Sequence, residues 1–296
     1  MSRPQISVIV RAKNKIDTIG LTLASLRRQS IEAEVIVVDS GSTDGTLRLA
    51  EKWADHVIEI PAAAFTYGGA LNQGAAAASA PVHAALSAHC VPESDTWLED
   101  SLRRYARSDV AGTNGGSLTP VGVPITDTYW QTIEDAVVDP GWGFSNHAAT
   151  WRADVWREFP FREDLGACED KEWSWRVLAA GWTIAYAPEL GAPMAHRRTA
   201  GLRPMFERIS REAEAMVSLG AGEPLTAREA LRAWWSAFPT ASRKPAFVRR
   251  VSPFRMVELA GAWHGGRKAA QLPGPCLPGL LVASGHPSPA LPYLPW

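Results

Sequence analysis

The first ninety residues alternate between short β-rich runs and helical stretches. No other feature of the chain constrains its fold as strongly. "ISVIVRAKN" reads as a buried strand ending near Arg11. "DTIGLTLASLRRQS" reads as a helix with Asp17 as N-cap and Ile19, Leu23 and Leu26 at helical spacing. "AEVIVVDSGSTDG" is a second buried strand that ends at Asp39 and enters a Gly/Ser turn. The helix "TLRLAEKWA", the strand "HVIEIP", the helix "GGALNQGAAAAS" and the strand "VHAALSAHCVP" follow. Such a β-α-β-α-β-α-β order predicts an α/β fold with an open, mostly parallel sheet and helices on both faces. Right-handed crossovers bring the strand C-termini to one edge, where ligands bind. Arg11 to Asn14, Asp39 to Thr43 and His89 are expected to meet there.

Beyond about Ser94 the alternation breaks down. "SDTWLEDSLRRYAR" is a helix with Trp97, Leu98, Ser101, Leu102 and Tyr105 on its face. Residues 112–150 are rich in Gly, Pro and Thr, and read as loops, a lone strand and a short helix. "EDKEWSWRVLAAG" is a helix with acids in its first turn and glycine at its end, and "TIAYAPE" is a strand. Helical regions follow near 202–219 and 226–237. The expected division is a catalytic domain over 1–201, a C-terminal helical extension over 202–271 and a flexible, proline-rich tail over 272–296 without regular structure.

The near-neutral net charge of −1 argues against a nucleic-acid-binding surface, and no apolar run reaches the length of a membrane span. With the first strand beginning by Ile6, no signal peptide is expected. The 3 cysteines form no C-x-x-C pair, which suits a reduced, cytoplasmic protein. Cys90 reads as a small core residue, facing away from His89 by strand alternation, and Cys168 as a packing residue. The 13 tryptophans suit either a core or a sugar-binding cleft, since indole faces pack on both.

Three stretches carry candidate chemistry. Asp39, ending a buried strand before small residues, suits recognition of a base or ribose, or else forms the turn. "LSAHCVP" places His89 where a buried strand stops. In "GACEDKEWSWR", Glu169 and Asp170 stand at a helix start whose dipole favours their ionised forms, and capping is their commoner role. Glu172 and Arg176 read as a solvated i, i+4 pair.

The segments "SVIVRAKN", "VIVVDSGSTDGT", "FTYGGALNQGA", "LSAHCVP…WLE", "FSNHAATWR" and "EDKEWSWRVLAAGWTIAYAPE…AH" together resemble the family 2 inverting glycosyltransferases of GT-A fold, notably their bacterial, rhamnosyltransferase-like branch. The resemblance runs from about Ser7 to His196, about two thirds of the chain. It implies a GT-A-type, Rossmann-like sheet and transfer of a sugar from a UDP- or dTDP-linked donor to an acceptor hydroxyl. Arg11, Ala12 and Asn14 would line the nucleotide, with Asn14–Lys15 standing where the family has asparagine–glutamate. Asp39 would accept from the base and Ser40 would lie beside it. Ser87 and His89 fill the positions of the family's metal-binding carboxylates, Asp170 matches the catalytic base, and His196 matches a histidine that completes the metal site. Asn146, His147, Glu169 and Trp173 would face acceptor or sugar, with Trp142 or Trp151 as a stacking wall.

A divalent cation, Mn²⁺ or Mg²⁺, is expected at the diphosphate, bound through His89 and His196. Metal independence is the alternative, with His89 on a phosphate oxygen and Arg197 and Arg198 supplying charge. A third reading leaves His89 structural. The acceptor is a carbohydrate, a lipid-linked sugar or a small molecule. The C-terminal helices read as a cap, a homodimer contact or a face lying on the inner membrane surface. A non-catalytic nucleotide-sugar binder and a nucleotidyltransferase are the rival functions.

Overall fold

The computed structural model describes residues 4–194, 201–236, 253–270, 274 and 276–285. Packing divides the chain into two compact units, one comprising 1–165 and 169–197, the other 166–168 and 198–296.

The first unit is built on an eight-stranded sheet. Its strands are β1 (Ile6–Ala12), β2 (Glu34–Asp39), β3 (His56–Glu59), β4 (Val82–Ser87), β5 (Val110–Gly115), β6 (Tyr129–Gln131), β7 (Ala148–Arg152) and β8 (Thr183–Ala187). They lie in the order β3-β2-β1-β4-β7-β5-β8-β6. Pairing is parallel for β1 with β2 and β4, β2 with β3, and β5 with β8, and antiparallel for β7 with β4 and β5 and for β6 with β8. The sheet is thus mostly parallel, and the C-terminal ends of β1, β2 and β4 share an edge.

Seven helices accompany these strands: α1 (Ile16–Arg27), α2 (Thr46–Trp53), α3 (Tyr67–Ala77), α4 (Trp97–Arg104), α5 (Ile133–Val138), α6 (Ala153–Glu158) and α7 (Glu169–Ala179). On one face, Val8 and Val10 of β1 pack with Leu23 and Leu26 of α1 and Trp97 of α4. On the other, α3 crosses β1 so closely that a Cβ on Gly74 would lie 2.5 Å from Ile9 Cγ2. Helices therefore cover both faces, and the apolar strand runs follow from that.

Several expectations are corrected. The N-cap of α1 is Lys15, with Asp17 inside the first turn. Strand β4 stops at Ser87, so His89 occupies a turn and strand alternation does not orient it against Cys90. Cys90 is nevertheless buried, and burial pushes its thiol pKa up to about 11. The region 112–150 holds much of three strands, because "AATWR" and "YWQ" are paired within the sheet. Glu172 is fully buried and bonded to Arg176 at 2.7 and 3.0 Å, so this pair is internal, not solvated. Burial raises the Glu172 pKa, with Arg176 opposing.

Four of the 13 tryptophans build core. Trp97, Trp151, Trp173 and Trp175 are all buried. Trp151 contacts Phe161 at 5.2 Å between ring centroids, Phe161 contacts Trp173 at 5.4 Å, and Trp173 contacts Phe144 at 4.7 Å. Trp173 also donates its indole N–H to the Phe159 carbonyl at 2.8 Å. Neither Trp173 nor Trp151 has a face left for a sugar. Trp142 is half-buried, with its ring 4.6 Å from that of Tyr186.

In the second unit, α8 (Leu202–Ser218) and α9 (Ala227–Ser236) match the expected helical regions. A further helix, α10 (Pro253–Lys268), packs on α8, with Ile209 and Ala213 against Leu259 and Ala262. The approach needs glycine, since a Cβ on Gly265 would lie 2.0 Å from the Ser210 carbonyl oxygen. Within the expected tail, Leu277–Ala283 forms a helix, α11, with Leu277 and Leu281 buried, so that part of the tail is regular. Its Pro278 sits in the first turn, where no N–H is needed. No helix among the described residues is long and apolar enough to cross a membrane.

His83 on β4 stands apart in this core. It is 1 % exposed, lies between Trp151 and Trp156 at 6.1 and 5.8 Å, and neither ring nitrogen has a partner. Burial, then the Arg157 charge, lowers its pKa to about 4. Between that value and the ordinary 6.5 the unfolded chain binds a proton that the folded one refuses. Stability from this group is therefore full above pH 6.5 and falls as pH drops towards 4. The expected loss is about 3 kcal/mol over the window. Urea unfolding of wild type and His83→Phe between pH 7 and about 4.5 checks this. The variant's stability should depend less on pH, and parallel curves for the two proteins would refute it.

Candidate active site

Two loops at the C-terminal edge of β1 and β2 are stapled together by side-chain hydrogen bonds. Asn14 takes a left-handed φ of 49°, and its side-chain carbonyl accepts from Thr43 N at 2.8 Å. Asn14 N donates to Ser42 Oγ at 2.8 Å, and Lys15 N to Thr46 Oγ1 at 2.7 Å. Asp39 is 1 % exposed; its Oδ1 accepts from Gly41 N at 3.0 Å and Ser42 N at 2.8 Å, and its Oδ2 from the Ser42 hydroxyl at 2.5 Å. This is the turn-forming role open to it from sequence. Ser40 is buried and donates its hydroxyl to the Ala12 carbonyl at 3.2 Å. Ala12 is buried at the end of β1.

Next along the edge comes the end of β4. Ser87 N donates to the His147 carbonyl at 2.8 Å. The turn after it is held by α1, where Thr18 donates to the Ala88 carbonyl at 2.8 Å and Thr22 to the Cys90 carbonyl at 2.9 Å. The first turn of α1, with Lys15 at its N-cap, therefore lies beside His89. The His89 ring is half-buried. Burial, then the charges of Lys15 and His147, lower its pKa, which keeps it neutral at neutral pH. His147 is exposed, and its Nδ1 is 2.9 Å from Ser145 Oγ.

Facing these residues is the start of α7. Asp170 is half-buried in its first turn. Its Oδ1 accepts from Lys171 N at 2.8 Å and its Oδ2 from Asn146 N at 3.3 Å. Both are backbone donors, and the carboxylate stands at the positive end of the helix dipole. The Lys171 ammonium donates to the Gly143 and Phe144 carbonyls at 2.8 Å, tying the loop before β7 to α7. Sequence reasoning missed Lys171, which no motif singles out.

Glu169 and Asn146 are more deeply placed than expected of groups that read a sugar. Glu169 is 5 % and Asn146 2 % exposed. The Asn146 amide donates to Glu169 Oε1 at 3.3 Å. Arg11, expected on the nucleotide, turns its guanidinium to Glu169 at 3.2 Å, to the Tyr67 carbonyl at 3.1 Å and to the Asn146 carbonyl at 3.4 Å. Asn14, Asp39, Ser87, His89, His147 and Asp170 thus share one edge, while Trp173 does not reach it.

His196, Arg197 and Arg198 lie outside the described residues. Among the described residues no group of three or more His, Cys, Asp or Glu comes together to hold an ion. Ser87 and His89 present one hydroxyl and one imidazole where a hard cation needs several oxygens, so these residues alone do not fit Mg²⁺.

Residues 7–141 match the model of the family described as glycosyl transferase family 2. The chain is 26% identical over 183 residues to the O-antigen chain rhamnosyltransferase WbaN of Salmonella anatum, covering 56% of this chain and 58% of that protein. It is 27% identical over 201 residues to the glycosyltransferase AglE of Haloferax volcanii, covering 63% and 66%. The matches therefore span less than two thirds of these relatives. Among solved structures, the mannosyltransferase PcManGT from Pyrobaculum calidifontis, in complex with GDP-Man and Mn²⁺, superposes with a TM-score of 0.56 at 19% identity, covering 96% of this chain and 74% of that one. That likeness concerns the fold. The family match ends before His147, Glu169 and Asp170, so the geometry alone ties these three to the site. Residues 7–141 are thus similar to the glycosyl transferase family 2 domain, within a sheet whose fold is that of GT-A glycosyltransferases.

Proposed function

We propose that the protein is an inverting glycosyltransferase that moves a sugar from a UDP- or dTDP-linked donor to an acceptor hydroxyl, with Asp170 as general base. The observation that carries this reading is the setting of Asp170. Two backbone N–H groups hold its carboxylate at a helix start, on the edge where the stapled loops of β1 and β2 form a shelf for a nucleotide. The family of residues 7–141 and the nucleotide-sugar complex of a structural neighbour support it.

The chemistry is a single displacement. The acceptor oxygen attacks the anomeric carbon, and its proton passes to Asp170. The bond from that carbon to the diphosphate oxygen breaks, and the nucleoside diphosphate leaves from the opposite face with the electron pair. The leaving group gains close to one negative charge, which must be met by positive charge or hydrogen-bond donors. The carboxylates of the family motif are replaced by Ser87 and His89, and the neutral His89 ring brings no charge of its own. Lys15, standing where the family has an acid and beside the 88–90 turn, supplies that charge in this reading. Ser87 and His89 then contact phosphate oxygens by hydrogen bonds.

Purified full-length protein incubated with a panel of UDP-, dTDP- and GDP-sugars should hydrolyse at least one of them slowly. Asp170→Asn should lower that turnover by two or more orders of magnitude while nucleotide affinity stays within about threefold. Near-wild-type turnover in the variant removes Asp170 from the role. Tight nucleotide binding with no hydrolysis of any donor points to the non-catalytic binder instead.

The charge assignment has its own test in calorimetric titration with UDP. Lys15→Ala should weaken binding about tenfold, or about 1.4 kcal/mol, and EDTA should leave the wild-type affinity unchanged. Wild-type affinity in Lys15→Ala, together with loss of binding in EDTA, would assign the charge to a metal ion.

A further inference from the structure

We propose that Arg11 is a positioning residue: its guanidinium locks the first turn of α7 and the loop before β7 onto the end of β1, and so aims the Asp170 carboxylate. This rests on the reading of Asp170 as the base. Four separate stretches of chain meet at this one side chain. Arg11 belongs to β1, Tyr67 opens α3, Asn146 precedes β7 and Glu169 opens α7. Nη1 donates to the Tyr67 carbonyl at 3.1 Å and to Glu169 Oε1 at 3.2 Å, and Nη2 to the Asn146 carbonyl at 3.4 Å. The guanidinium carbon also lies 5.5 Å from the centre of the Tyr67 ring. The side chains of Arg11 and Glu169 are only 16% and 6% exposed, so the pair is largely shielded from solvent.

Both supports of the base depend on groups that Arg11 holds. Asn146 gives its carbonyl to Arg11 and its N–H to Asp170 Oδ2. Glu169, the residue before Asp170, is held by Arg11 and by the Asn146 amide. Without Arg11 a buried carboxylate would stand uncompensated directly beside the base. Such a charge must either bind a proton or pull water and cations into the core. Either response moves the start of α7, and a displacement of about 1 Å at a reacting group can lower turnover a hundredfold. Burial, then the Asp170 charge, raises the Glu169 pKa, and Arg11 lowers it. Asp170 on the same helix and Arg11 from β1 are the charged groups that face Glu169.

The test compares wild type, Arg11→Gln, Arg11→Lys and Arg11→Gln/Glu169→Gln, using whichever sugar nucleotide of the panel wild type hydrolyses. Arg11→Gln should lower kcat at least tenfold and leave the donor KM within about threefold. Arg11→Lys, which keeps the charge but loses the fork, should fall between. The double variant, with no buried charge to compensate, should recover most of the lost kcat. Unchanged kcat in Arg11→Gln overturns the proposal. So does a loss confined to KM, which would make Arg11 a nucleotide contact. If wild type hydrolyses no donor faster than Asp170→Asn does, the base reading has failed, and the ion pair is read separately. For that, the Glu169 carboxyl is followed by ¹³C NMR with pH. Its midpoint should rise by about one unit or more in Arg11→Gln, and an unmoved midpoint also overturns the proposal.

Discussion

Strand β1 is hydrogen-bonded on both sides and covered on both faces, and the rest of the first unit follows from that confinement. A strand so placed can carry a polar side chain only where a partner meets it. Ser7 obeys the rule by donating to Glu34 and accepting from Ala80 N. All other chemistry is displaced to the C-terminal end, where Arg11 is the first long polar side chain able to leave the sheet. Its neighbours β2 and β4 end beside it for the same reason, at Asp39 and Ser87. The site is thus a consequence of how completely the strands are buried before it.

At that edge the electrostatics differ from what the family motif implies. The resemblance implies carboxylates at this strand end, and Ser87 and His89 bring none. Lys15 stands where the resemblance implies an acid, and its charge helps to keep the His89 ring neutral. The two changes are complementary: an acidic strand end facing an ammonium would neutralise both, whereas a neutral strand end leaves the ammonium available to an anion. On the far side of the cleft the pattern is the reverse. Glu169 is held beside Arg11, and Asp170 accepts from the backbone N–H groups of Asn146 and Lys171.

The places where sequence reading and structure part share a physical cause. "AATWR" and "YWQ" were hidden because strands of 5 and 3 residues are too short for an apolar alternation to stand out. Helix α10 was hidden because glycines are poor helix formers; the value of Gly261 and Gly265 lies in letting α8 approach, which is a property of the packed pair. The tryptophans were ambiguous because an indole serves a core and a sugar equally well. Only burial separates Trp151 and Trp173 from a stacking role. Glu172 and Arg176 were read as a solvated pair because i, i+4 spacing says that two side chains meet and nothing about what surrounds them.

From the order of its apolar runs alone, the chain determined an α/β sheet, the edge at which its polar strand ends collect, and the helix start that presents Asp170. Those properties are local or follow from chirality, and short windows of sequence encode them. Tertiary structure alone decided which polar groups at that edge stay open. Arg11 near the end of β1 and Ser40 just after β2 lie at the same edge as Asn14 and Lys15, yet Arg11 turns to Glu169, 158 residues away, and Ser40 turns to the Ala12 carbonyl. A side chain's partner depends on what the completed fold brings within about 3 Å of it, and hydrogen bonds are too short-ranged for sequence spacing to specify that.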